Sequence, residues 1–193
     1  MKTVICDIDG VLNYYPETIL NFASSLGYPK CKTLYELKSR LSFIEYNELK
    51  KKYRQSIYKH EAAIRTDAKE LLSYFSTHDF FIILLTAREC SDDMVQKTCH
   101  WLRKNNLNFD YIYFSAKKDL QIYQKFKTTE VIIDDSINNL KNIHNVKPNA
   151  RFYLVNGSDN MLYEDEPYII RVNALDEIIK SEEAYYENSN QCS

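Results

Sequence analysis

The chain has 193 residues, enough for one substantial core with a small inserted lobe but not for two full-sized domains. Its 45% hydrophobic and 27% charged content argues against global disorder and fibrous repeats, and its net charge of -2 provides no overall attraction to nucleic acid or anionic membrane. Five scattered cysteines without C-x-x-C spacing argue against a disulfide framework or zinc site and make a reducing, cytoplasmic setting the default, while no run is long enough to predict a membrane span.

Residues 2–6 form the first strongly β-forming run, and at its mouth the stretch VICDIDGVLN places Asp7, Asp9 and Gly10. Carboxylates beside buried strand residues are costly unless a cation meets them. Gly10 is one of three glycines and stands where the backbone must turn sharply. The start of the chain is too charged for a signal peptide. From 15 to 61 the pattern is helical, over 17–26, 33–41 and 45–59, with no convincing strand. This segment reads as a helical insert between core segments 1–14 and 62–181, placed to hang over the sheet edge as a lid. On its third helix Tyr46, Leu49, Tyr53 and Ile57 are expected inward, and Lys50, Lys51, Lys52 and Arg54 on a solvated face.

Ala68, Leu71, Leu72 and Phe75 make one apolar helical stripe leading into a strand at 80–85, after which stand Thr86, Ala87 and Arg88. Ser91 is placed to cap a helix with Asp92 and Asp93 in its first turn and Arg103 and Lys104 in its last. A strand at 111–114 is followed by Lys117, Lys118 and a helical run containing Leu120, Ile122, Tyr123 and Phe126. The strand at 130–133 ends on Asp134 and Asp135, and Ser136 is placed to cap a helix with Ile137, Leu140 and Ile143 inward. A strand at 151–155 and a helix capped by Asn173, with Leu175, Ile178 and Ile179 inward, complete the pattern. The polar, aperiodic stretch 182–193 is expected to be a disordered tail. Trp101, Cys6 and Cys99 read as core residues, and the four histidines have no metal-ligand spacing.

Strands alternating with helices imply parallel pairing in an open doubly wound α/β sheet, whose ligands bind at the carboxyl ends of the strands. Asp7 and Asp9, Thr86 and Arg88, Lys117 and Lys118, and Asp134 and Asp135 all fall on that edge. Such a set suits phosphoryl transfer, where positioning and charge neutralisation do most of the work. Aspartates crowded together resist ionising together unless a cation such as Mg²⁺, which prefers oxygen ligands, resolves the conflict.

DIDGVL, the threonine ending LLT, a lysine before the fourth strand and the terminal IIDD, in this order over 2–172, resemble the four signature motifs of the haloacid dehalogenase (HAD) superfamily of phosphohydrolases. The resemblance implies a HAD-like doubly wound (Rossmannoid) parallel sheet with a small helical cap inserted after the first strand. It implies Asp7 as the nucleophile that forms an aspartyl-phosphate, and Asp9 as general acid and then base. Thr86, Ala87, Arg88 and Lys118 would be substrate-binding, Lys117 being the alternative to Lys118. Mg²⁺ would be held by Asp7, the Asp9 backbone carbonyl and Asp135, with Asp134 orienting a coordinated water. LLTARE followed by Thr98, Trp101 and Leu102 is further similar to cytosolic 5'-(3')-deoxyribonucleotidases and to the 3'-phosphatase domain of polynucleotide kinase-phosphatases. The expected substrate is therefore a nucleotide, with a polynucleotide 3'-phosphate as the alternative and a non-catalytic binding or regulatory protein as the rival class. Tyr14 or Tyr15 could stack on a base. No GxxxxGKS/T phosphate loop occurs, so no kinase half is present.

Overall fold

A computed structural model describes residues 1–115, 118, 120–164 and 166–191; Lys117 lies outside the described residues. In chain order the strands are β1 (Lys2–Cys6), β2 (Phe80–Thr86), β3 (Tyr111–Phe114), β4 (Thr129–Asp134), β5 (Arg151–Val155) and β6 (Ile169–Val172). The helices are α1 (Glu17–Ser25), α2 (Leu34–Arg40), α3 (Phe43–Gln55), α4 (Ile57–His60), α5 (Ala68–Thr77), α6 (Asp92–Lys104), α7 (Leu120–Lys125), α8 (Ile137–His144) and α9 (Asp176–Gln191).

The strands form one parallel sheet of order β3-β2-β1-β4-β5-β6. Successive side chains of a strand point to opposite faces, and both faces are covered. Val4, Cys6, Ile82, Leu84, Val131 and Ile133 pack with Leu71, Phe75, Trp101 and Ile178, from α5, α6 and α9. Ile5, Ile83, Leu85, Ile132 and Leu154 pack on the other face with Ile122, Leu140 and Ile143, from α7 and α8. From β1 the strands are laid out first toward β2 and β3 and then, from β4, on the other side, so the strand order reverses between β1 and β4 and a crevice opens at the carboxyl ends of these two central strands.

The helices α1 to α4 lie between β1 and α5 and carry their own apolar cluster, including Ile19, Leu37, Leu49 and Tyr53. The stalk of this insert is closed by a bridge between Asn13 and Ile64 and by Arg65 N donating to Leu12 O at 3.0 Å. The helix expected over 45–59 is broken at Ser56, whose backbone is extended and whose hydroxyl donates to the Tyr53 carbonyl at 2.7 Å. The break turns Ile57 outward, 63% exposed, against the inward placement expected of it.

Other departures have local causes. Ser91 occupies the N-cap position of α6 but makes no side-chain capping bond. Asn173 does not cap α9, because its Oδ1 accepts from Asn156 Nδ2 at 2.6 Å; Asp67 Oδ2 instead accepts from Leu175 N at 2.5 Å. Cys99 is partly exposed rather than core. The stretch from Glu182, expected to be disordered, continues α9 to Gln191. Glu182 is fully buried, receives both Nε and Nη2 of Arg151 at 2.7 Å, and accepts from Tyr153 OH at 2.6 Å. A polar helix is thereby fixed to β5 by one charge-assisted fork. Among the described residues no helix is long and apolar enough to cross a membrane.

Candidate active site

The site begins where β1 ends. Asp7 N still donates to Ile133 O at 2.9 Å, as a strand residue would, and then the chain turns, with Ile8 N donating to Asp7 Oδ1 at 2.7 Å and Leu12 N to Ile8 O at 2.9 Å. These bonds fix the Asp7 carboxylate at the sheet edge. Gly10 has a φ of +88°, and a Cβ there would collide with the Asp135 carboxylate. The glycine is thus needed twice, for its left-handed backbone and for the close approach of the acid at the end of β4. Asn13 closes the turn by accepting from Gly10 N at 3.1 Å and donating to Asp9 Oδ1 at 2.9 Å.

Lys118 reaches the same point from beyond β3. Its Nζ lies 2.6 Å from Asp7 Oδ2 and 2.8 Å from Asp134 Oδ2. Its φ of 45° is left-handed, a conformation costly for a residue with a Cβ, and the two buried ion pairs hold it there. Asp134 is anchored in turn by Ser136 N at 2.8 Å and by Asn139 Nδ2 at 3.2 Å. One carboxylate oxygen from each of Asp7, Asp134 and Asp135 can be chosen so that all lie within 4.8 Å of one another.

Of the acids gathered around Lys118, Asp7 and Asp135 have their ionisation displaced. Burial pushes the Asp7 carboxyl up to about 7, with Lys118 pulling it back and Asp134 pushing further. Burial also raises Asp135 well above the usual range, helped by Asp134 and Asp7. Burial would discharge Lys118, but Asp134 and Asp7 outweigh it and raise the ammonium well above its ordinary value. This hard-oxygen donor set, short of positive charge, fits Mg²⁺ better than it fits a site left to protons.

Asp9 sits in the opposite environment. Arg88 directs Nε to Oδ2 at 3.0 Å and Nη2 to Oδ1 at 2.8 Å, while Lys59 Nζ, from α4 of the insert, lies 2.5 Å from Oδ2. Burial would raise the Asp9 carboxyl, but these two cations outweigh it and hold it well below the usual range. The cost falls on Lys59, whose ammonium burial pushes down to about 8 although Asp9 resists. Arg88 also donates from Nη1 to Thr98 Oγ1 at 3.1 Å, and its guanidinium stands 5.6 Å from the Trp101 ring. Its fork, placed by the sequence reading to grip a substrate phosphate or ribose, is here paired with Asp9.

Asp7, Asp9, Ala87, Arg88, Lys118 and Asp135 line one cavity of about 290 Å³ between the sheet edge and the insert. Thr86 and Asp134 are buried behind its wall; Thr86 Oγ1 accepts from Arg88 N at 3.2 Å. Among the wall residues not read as site residues are Lys59, Lys50 and Arg54 from the insert, Glu89 after β2, and Asn139 from α8. Asn13, at the turn, was overlooked as well. Its spacing after DIDG was the available signal, whereas nothing in the sequence near Lys59 points to Asp9. Of the two tyrosines after the turn, Tyr15 lines the cavity, and Tyr14 lies under the Arg65 guanidinium, 5.4 Å from it.

No family model and no curated protein matches the chain at the level of sequence. Solved structures do match it over nearly their whole length. A predicted phosphatase from Clostridium acetobutylicum aligns with a TM-score of 0.64 and 19% identity, covering 93% of this chain and 97% of that one. CbbY from Rhodobacter sphaeroides, a mutant in complex with xylulose-1,5-bisphosphate, aligns at 0.59 and 14%, covering 92% and 96%. A HAD hydrolase of family IA from Entamoeba histolytica aligns at 0.59 and 14%, covering 92% and 95%. At these identities the likeness concerns the backbone, and its conclusion is architectural: the six-stranded parallel sheet with its flanking helices is the HAD-like Rossmannoid fold.

Proposed function

We propose that the protein is a Mg²⁺-dependent phosphomonoester hydrolase that works through an aspartyl-phosphate on Asp7. The observation that carries this reading is the meeting of Asp7, Asp134 and Asp135 around Lys118 at the carboxyl edge of β1 and β4. Asp7 and Asp135 are the residues to hold the ion, which when bound would neutralise the phosphoryl oxygens and keep Asp7 ionised.

An Asp7 oxygen attacks phosphorus, the bond to the ester oxygen breaks, and the leaving alkoxide takes a proton. Water then adds to the phosphoryl group with loss of its own proton to a base, releasing inorganic phosphate and restoring the Asp7 carboxylate. Lys118 holds Asp7 in line and offers charge to the phosphoryl oxygens. Asp9, kept ionised by Arg88 and Lys59, is ready as the base of the second step. Its service as the acid of the first step requires these cations to loosen, and Lys59 rides on the insert, the part of the molecule placed to open and close as a cap.

A cavity of about 290 Å³ stands at the lower end of small-ligand pockets, which supports a small ester over a polynucleotide end. A nucleoside monophosphate remains the reading that the Tyr15 ring on the cavity wall supports. The intact acid and lysine set argues against a purely non-catalytic binding protein.

The test is hydrolysis of p-nitrophenyl phosphate. Turnover should need Mg²⁺, vanish in EDTA and return on adding the ion, and Asp7→Asn should abolish it while the fold survives. Metal-independent turnover, or an active Asp7→Asn protein, overturns the proposal. A phosphate-release screen over nucleoside 5'- and 3'-monophosphates, sugar phosphates and a 3'-phosphorylated oligonucleotide then assigns the substrate.

A further inference from the structure

The two walls of the cavity differ in charge. The sheet-edge wall contributes the acids Asp7, Asp9, Asp135 and Glu89, together with Arg88 and Lys118. The insert wall contributes Tyr15, Ile19, Lys50, Tyr53, Arg54 and Lys59, which include three cations and no acid. Lys59 is matched by Asp9. Lys50 and Arg54 form no ion pair among the described residues, although they stand one turn apart on α3, where like charges repel. Burial lowers the Lys50 ammonium, and Arg54 and Lys38 lower it further. Lys51, Lys52 and Arg54 are exposed and Lys50 is half-buried, but of these four only Lys50 and Arg54 line the cavity wall, which a merely solvated helix face would not account for. Elsewhere the chain places lysines against acids four residues away, as in Lys97 with Asp93 and Lys180 with Asp176.

We infer that Lys50 and Arg54 receive a second anion on the leaving group, and that the substrate is a small phosphate monoester carrying a further carboxylate or phosphate. The inference rests on the hydrolase reading and departs from its nucleoside monophosphate, whose leaving nucleoside carries no charge. The reacting phosphoryl group has its own partners at the sheet edge, so the insert cations face what lies beyond the ester oxygen. An uncharged leaving group would leave the half-buried Lys50 ammonium and the Arg54 guanidinium beside it on the cavity wall without a counter-charge, whereas an anion joins them through charge-assisted bonds, bidentate where it meets the guanidinium. Tyr15, Ile19, Tyr53 and Met94 supply the apolar contact for the few carbons between the two anions. The small volume requires the anions to be close.

The experiment compares matched esters. Phosphoglycolate against ethyl phosphate isolates a carboxylate; fructose 1,6-bisphosphate against fructose 6-phosphate, and adenosine 3',5'-bisphosphate against adenosine 5'-monophosphate, isolate a second phosphate. In at least one pair kcat/KM should favour the doubly anionic member by about tenfold or more, the scale of one charge-assisted contact. Lys50→Gln and Arg54→Gln should each reduce that ratio, Lys50→Arg should largely keep it, and added salt should weaken it. The same pairs are titrated calorimetrically into the Asp7→Asn protein with Mg²⁺. Should the parent turn over neither member while the Asp7→Asn protein still prefers the doubly anionic one, the hydrolase reading falls and the anion site stands. Equal kcat/KM within every pair, or a ratio that survives the double substitution, overturns the anion site and leaves the hydrolase reading intact. A preference absent from both turnover and binding overturns the two together.

Discussion

Asp7→Asn should make the apo-protein more stable at pH 8 and flatten its dependence on pH. The unfolded chain releases the Asp7 proton near 3.8 and the folded chain holds it to about 7, roughly a thousandfold difference in affinity worth about 4 kcal/mol. Between those limits the folded state binds the more protons, so stability falls as pH rises and levels off above the folded value. About 3 kcal/mol of the loss falls between pH 5 and pH 8. Asparagine removes the charge but must turn one amide hydrogen pair toward a donor, Ile8 N or Lys118 Nζ, which takes back about 1–2 kcal/mol. The net gain expected at pH 8 is therefore about 2 kcal/mol.

The assay is urea unfolding at pH 5, 6, 7 and 8 in EDTA, with variant and parent side by side. The comparison matters because Asp135 acts in the same direction as Asp7, while His60, held below its usual value by burial and then by Lys97, acts in the opposite direction in the acid part of the window. Mg²⁺ should stabilise the parent more at pH 8 than at pH 5, and should help the variant less, since the ion takes the place of the protons that the acids otherwise retain. Parallel pH curves for parent and variant, or a variant less stable than the parent at pH 8, would refute the account of Asp7 as a strained, metal-poised carboxylate.

Gly10→Ala should lower stability by about 1–3 kcal/mol, because it adds a Cβ at positive φ and displaces the Asp135 carboxylate; the Mg²⁺-induced rise in Tm should shrink with it. Glu182→Gln should cost about 3 kcal/mol by leaving Arg151 without its buried partner, and proteolysis should then reach α9 first; a tail as resistant as in the parent contradicts its docking to β5. Lys59→Met removes one of the two cations that hold Asp9 down, so the Asp9 carboxyl rises and the acid limb of the kcat/KM profile moves to higher pH; an unmoved limb separates Asp9 from the rate.

The parallel sheet was legible because each central strand is buried on both faces and reads as an unbroken apolar run, most plainly FFIILL in β2. β6 was missed because only four residues, IIRV, sit on an edge with Ile170 half exposed, a pattern too short to separate from a loop. Glu182 shows why the tail deceived: its helix gains little from apolar periodicity and depends on a long-range pairing with Arg151. At the site, Asp7, Asp9, Arg88, Lys118 and Asp135 were legible because strand ends announce themselves locally. Lys59 was not, since its closeness to Asp9 arises from the path of α4 across the cavity, fifty residues along the chain, and local sequence cannot encode that path. The pairing of Arg88 with Asp9 was not legible for a related reason: the position of Arg88 follows from β2, but its bond to Asp9 depends on the turn after β1.

The two aspartates of the DIDG turn end up with opposite proton affinities although one residue separates them, and the difference comes from which cations reach each. Asp7 shares a single lysine with Asp134, so burial dominates and the carboxyl resists ionising. Asp9 has Arg88 and Lys59 to itself, so the cations dominate and it stays ionised. Pairs of acids driven apart in this way are how one site holds two roles at a single pH. Because Lys59 belongs to the insert and Arg88 to the sheet edge, the affinity of Asp9 would follow any movement of the insert, whereas that of Asp7 would follow a cation bound beside Asp134 and Asp135. Closing the insert and loading the ion would then set the two carboxylates independently, and both settings meet only when the cavity is enclosed around an ester.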